Sequence, residues 1–112
     1  MYLKKQHFIS LFEQATDQKF SGAFHTERLS SKAFLISTGS TLYIFYVNTL
    51  VFKMENKKIT LDNGGWKTNT TKKWINYGFA ILHSKDYLFQ KDYQWYISTP
   101  NETIDFDDYN NE

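Results

Sequence analysis

The chain has 112 residues, about the length of one ordinary domain, and its 41% apolar and 19% aromatic content is enough to build a single core in which large rings do much of the packing. Thirteen Lys and Arg against twelve Asp and Glu give a net charge of +1, which removes the simplest argument for a strongly basic nucleic-acid binder and for an acidic DNA mimic. With no cysteine there is no disulfide framework, thiolate nucleophile or cysteine zinc site, a pattern that suits a reducing compartment.

Polar residues interrupt the first eight positions, so no signal peptide is expected, and no apolar run approaches the roughly 18 residues of a membrane span. Phe8, Leu11, Phe12 and Ala15 recur at three-and-four spacing, which predicts a helix over roughly residues 3–17 with that face buried. Weaker strand signals follow near residues 23–26 and 33–37, punctuated by Gly22, Ser30, Ser31 and Gly39. Residues 41–47, 50–54 and 58–62 are rich in β-branched and aromatic side chains and read as a meander, with turns at Asn48-Thr49 and Glu55-Asn56-Lys57. Within it, Tyr43, Phe45 and Val47 share one face and Leu42, Ile44 and Tyr46 the other.

A helix is predicted to begin at a cap on Asn69 or Thr70 and to end near His83 and Ser84, with Trp74, Ile75, Gly78, Phe79 and Leu82 as its apolar stripe. Strands over residues 87–91 and 94–98 follow, joined by Asp92-Tyr93, and residues 103–106 close the pattern as a last strand. The expected fold class is α+β: one domain over residues 1–106, with an antiparallel sheet of about five or six strands and two helices packed on it. An acidic tail, residues 107–112, is expected to fray.

The densest cluster of chemistry is Gly64-Gly65-Trp66-Lys67-Thr68-Asn69-Thr70-Thr71-Lys72-Lys73-Trp74-Ile75-Asn76. Two glycines allow a tight bend and a helix start presents unpaired N–H groups. Thr70, Thr71, Lys72 and Lys73 add hydroxyls and positive charge, so the run reads as a partner or phosphate site that also includes Trp66 and Lys67. The Walker spacing is absent. The competing reading is structural: a glycine turn, a packed Trp66, a cap at Thr70 and solvated lysines. Lysines at a helix N-terminus oppose the macrodipole, which favours a bound anion or a nearby acidic tail.

Among the aromatic residues, Tyr93 and Trp95 are candidate interface rings, and Asp105, Asp107 and Asp108 add a candidate acidic surface. His7, His25 and His83 are far apart, none has metal-ligand spacing, and no nucleophile elbow is present. No catalytic group, metal site or cofactor is therefore expected.

Residues 39–97 resemble a small domain of unknown function that recurs in phage and mobile-element proteins. The likeness rests on a strand pair, on the Gly-Gly-Trp-x-Thr-x-Thr-Thr-Lys-x-x-Ile-Asn pattern at residues 64–76, and on the closing Gln90-Lys91-Asp92-Tyr93-Gln94-Trp95-Tyr96. It implies a viral or mobile-element origin and carries no assigned activity. Together these readings describe a non-enzymatic accessory protein in the host cytoplasm that binds and inhibits a host protein, such as a nuclease or another defence component. The alternative is a small nucleic-acid-binding module using the lysines and rings around residues 64–76. No membrane partner is expected, and the oligomeric state is open.

Overall fold

The computed structural model describes residues 25–37, 41–47, 49–65 and 67–110; the helix expected over residues 3–17 and the side chain of Trp66 lie outside the described residues. Five strands form the first sheet: β1 (His25–Arg28), β2 (Ala33–Ser37), β3 (Leu42–Tyr46), β4 (Thr49–Glu55) and β5 (Lys58–Leu61). They lie in sequence order and every pairing is antiparallel, as short connections dictate. Helix α1 (Asn69–Ile81) leads into a second antiparallel sheet of β6 (Tyr87–Lys91), β7 (Gln94–Ser98) and β8 (Thr103–Asp105), and a single turn, α2 (Phe106–Tyr109), follows.

The α+β class and an antiparallel sheet of five strands are as expected, and the remaining three strands form a second sheet of their own. The reason lies at the two strand edges that face the break in connectivity. Asn110 donates from Nδ2 to the Leu61 carbonyl and accepts from the Leu61 N–H, both at 2.8 Å. Asn76 makes the same pair of bonds with Leu88, accepting at 2.7 Å and donating at 3.0 Å. An asparagine amide thus takes the place of a neighbouring strand on β5 and on β6, which also blunts edges that would otherwise recruit another chain.

Helix α1 seats on the first sheet through the predicted stripe. Trp74, Ile75, Gly78 and Phe79 are buried, and the Phe79 ring meets Phe52 of β4 edge-on at 5.3 Å. Around them lies one core drawn from both sheets: Leu35, Ile44 and Leu61 from the first, Leu88, Trp95 and Ile97 from the second. The opposite face of the first sheet holds a second buried cluster, Phe34, Ile36, Tyr43 and Phe45, so both faces of β2 and β3 are withdrawn from water. Val47 departs from its expected place beside Tyr43 and Phe45. The strand ends at Tyr46, and Val47 turns outward with φ of 47°. A register shift between Ile44 and Phe45 leaves Val51 without a partner on β3, a bulge in β4 at a buried side chain.

The expected frayed tail is also different over its first four residues. Asp105 caps α2 by accepting from the Asp107 N–H at 3.0 Å, Tyr109 donates to Asp86 at 3.0 Å, and Asn110 holds β5 as above. Phe106 leaves the strand and buries its ring edge-on to Trp95, at 5.3 Å. Residues 111–112 lie outside the described residues.

Candidate functional site

The glycine turn ahead of α1 is built by two successive side-chain bridges. Asp62 accepts from the Gly64 N–H and Asn63 from the Gly65 N–H, each at 2.8 Å. Both glycines have positive φ, 62° and 83°, and a Cβ on Gly64 would lie 2.7 Å from Thr49 Oγ1. The helix cap is Thr68, one residue before the expected Asn69 and two before Thr70. Its Oγ1 accepts from the Thr71 N–H at 3.2 Å and lies 2.9 Å from Thr71 Oγ1. Thr71 points into the protein and is 1% exposed, so its hydroxyl needs an internal partner, which Thr68 gives.

This arrangement disperses the groups that the sequence gathers into one anion site. Thr71 faces inward, whereas Lys67 and Thr70 are exposed. Lys72 donates to Gln90 of β6 at 2.8 Å, and the Lys73 ammonium sits 4.8 Å from the Trp74 ring centre on its own helix. A hollow of about 190 Å³ lies beside the cap, lined by Tyr46, Val47, Thr49, Val51, Asn63, Thr68 and Thr71. None of these is charged. The described part of the run 64–76 therefore works first as structure: turn, cap, core stripe and, through Asn76, the clamp on β6.

The second group of candidates is divided by the pleat. Trp95 pairs with Gln90 on the same face as Ile97 and Leu88 and is 1% exposed, so it belongs to the core and offers no surface to a partner. Among the described residues its indole N–H, like that of Trp74, has no hydrogen-bond partner. Tyr93 is the opposite case, at 89% exposure. It occupies the two-residue turn of the β6–β7 hairpin, where Asp92 and Tyr93 have φ of 53° and 66°. Two positive φ values mark the primed hairpin turn that favours Asn-Gly or Asp-Gly, and for a side chain as large as Tyr the left-handed region costs roughly 1–2 kcal/mol. Asp105 is half-buried at its cap, while Asp107 and Asp108 are exposed.

Alternation along this hairpin also brings further rings to the outer face, of which Tyr87 and Phe89 were not candidates on sequence. Tyr87, Phe89 and Tyr96 stand on the outer face of the three-stranded sheet, with centroids 6.0 Å apart for the first pair and 5.6 Å for the second, where the planes are tilted by 28°. Tyr87 is 53% exposed. The signal lay in the inward period of Leu88, Ile97 and Ile104, which puts every intervening residue outside.

The family model for the Kyanoviridae Gp96 protein matches residues 13–112. The chain belongs to this phage protein family. No curated protein and no solved structure matches it. The match takes in the whole of residues 39–97, on which the resemblance to phage proteins rests, and extends through the β6–β7 hairpin, β8 and α2 of this Gp96-family chain.

Elsewhere in the Gp96-family fold, His25 and Glu27 approach to 3.9 Å on exposed β1, and His83 lies two residues past the end of α1 with φ of 55°; His7 lies outside the described residues. Among the described residues no three His, Asp or Glu side chains are grouped to hold a metal ion, and no helix is long and apolar enough to cross a membrane. Among the described residues two phenols are perturbed. Burial pushes Tyr43 well above the ordinary tyrosine range, aided by its hydrogen bond to Glu55, and burial does the same for Tyr109, aided by Asp86. Both hydroxyls act as neutral donors that tie one segment to another.

Proposed function

We propose that this Gp96-family protein is a non-enzymatic phage accessory protein that binds and inhibits a host protein, a nuclease or another defence component, in the host cytoplasm. The contact surface is the β6–β7 hairpin, its turn and its outer face. The observation that supports this reading most directly is Tyr93. An almost fully exposed ring is held in a backbone conformation that glycine would adopt with less strain. Folding gains nothing evident from a tyrosine there, whereas an aromatic ring at the tip of a hairpin is the kind of anchor that fills a partner's pocket. Tyr87, Phe89 and Tyr96 extend the apolar surface behind it.

The nucleic-acid alternative draws on Lys67, Lys72 and Lys73, of which Lys72 is engaged by Gln90 and Lys73 by Trp74. That arrangement supports it less well. The reading is tested by capturing host proteins on the full-length chain from a nuclease-treated lysate and then measuring affinity with the captured protein purified. Tyr93→Gly should remain folded and bind about thirtyfold more weakly, the loss that corresponds to a hot spot of about 2 kcal/mol. Unchanged affinity in that variant removes the hairpin from the interface.

A further inference from the structure

One face of the first sheet is covered by α1 and the second sheet, and the opposite face is just as dry. There Phe34 and Ile36 of β2 and Tyr43 and Phe45 of β3 are buried, Ile36 completely so. Among the described residues Leu50 is the partly buried apolar side chain that packs on this cluster, and it cannot by itself screen four buried side chains, three of them aromatic. The dry area is a strip. Arg28 of β1, across from Phe34, is exposed on one side of it, and Lys53 and Glu55 of β4 are half-buried on the other. Two strands make a strip about 10 Å wide, and one helix with its side chains is about 10–12 Å across.

We infer that the chain's own N-terminal segment, residues 3–17, docks on this strip as a helix, with Phe8, Leu11, Phe12 and Ala15 against Phe34, Ile36, Tyr43 and Phe45. The stretches outside the described residues are 1–24, 38–40, 48, 66 and 111–112, and only the first is long enough to cover the strip. Its apolar residues recur at helical spacing, so it carries the stripe that such a strip requires. Fifteen residues of helix extend about 22 Å, against about 17 Å for the five residues of β2 or of β3. Residues 18–24 span up to about 25 Å, enough to carry the chain from such a helix to His25 at the start of β1. That strand is the sheet's edge and the neighbour of β2, so the segment enters the fold beside the strip. The inference does not depend on the host-protein reading. It adds that a partner must use another surface than the faces of β2 and β3, or displace residues 3–17.

The test uses the unmodified full-length chain and nuclear Overhauser cross-peaks. They are expected from the Leu11 and Ala15 methyls to the rings of Phe34, Tyr43 or Phe45. Cross-peaks from those methyls to Phe52 or Phe79, on the opposite side of the sheet, overturn the inference. A mixture of isotope-labelled and unlabelled chains then identifies the source of the segment. Cross-peaks confined to one chain support the inference, and cross-peaks between labelled and unlabelled chains show that a second copy covers the strip, which overturns it. Phe12→Ser in the full-length chain should shift the ring resonances of Phe34 and Phe45 several-fold more than those of Phe52 and Phe79. Ser10→Ala, on the far side of the predicted helix, should shift both groups little. A folded Phe12→Ser variant in which the Phe34 and Phe45 rings are unmoved also overturns the inference.

Discussion

At Gly78 a missing side chain sets how closely α1 approaches the first sheet. A Cβ there would lie 2.6 Å from Cγ and Cδ2 of Phe52, inside any tolerable contact. Replacing a mid-helix glycine by alanine normally stabilises by about 1 kcal/mol through helix propensity. Here overpacking, which costs typically 1–3 kcal/mol, opposes that gain, because Phe52 is itself fixed edge-on against Phe79. Gly78→Ala should therefore lower the denaturation midpoint; a rise would show that the ring can yield. Asn76 is the other decisive residue on this helix. Asn76→Ala leaves the Leu88 N–H and carbonyl without their side-chain partner at a part-buried edge, at about 1–3 kcal/mol per group that water does not reach. Hydrogen exchange at the Leu88 amide should accelerate by a factor larger than at its neighbours in β7. The sequence shows Asn76 only as the last letter of a pattern. Its role depends on a backbone 12 residues further on, which no local periodicity reveals.

For whole elements, alternation and turn residues located the strands well, since apolar period and short connections are local properties. They did not assign faces to partners. Trp95 reads as an interface ring until its register with Gln90 places it inside, and Tyr87, Phe89 and Tyr96 become a continuous surface only when β6 and β7 are aligned. The helix cap fell on Thr68 because the inward turn of Thr71 decides which hydroxyl is needed, and inwardness is a tertiary fact. The division into two sheets was likewise hidden, since it depends on side-chain amides arriving from distant positions. The β6–β7 hairpin yields a prediction that separates stability from binding. Tyr93→Gly creates an Asp-Gly pair in a turn whose φ values suit it, so the variant should be more stable by up to about 1 kcal/mol. The added freedom of a glycine in the unfolded chain offsets part of this gain. A raised thermal midpoint together with weakened partner binding is the expected pair of results. A lowered midpoint would mean that the tyrosine ring stabilises the hairpin, and the argument from strain would fail.

Across the molecule, the fold is closed by a few long-range polar contacts between segments, and two of them respond to pH. Tyr109 of α2 donates to Asp86, just ahead of β6, while Tyr43 of β3 donates to Glu55 of β4. In each case burial first, and the carboxylate second, holds the phenol above its unfolded value of about 10. A group whose pKa is raised by folding binds its proton more firmly in the native state. Its contribution is fully present below about pH 10 and declines as pH rises beyond that point, because the unfolded chain ionises first. Denaturant midpoints should therefore be level with respect to these phenols through neutral pH and should fall on the alkaline side of 10. Tyr109→Phe removes one of the two groups, so this variant should start less stable at neutral pH, having lost the bond to Asp86, yet lose less on going to alkaline pH. The two stability curves should converge as pH rises. Parallel curves would show that Tyr109 ionises in the folded protein as readily as in the unfolded chain, and that α2 is held by Phe106 and Asn110 instead of by the neutral phenol.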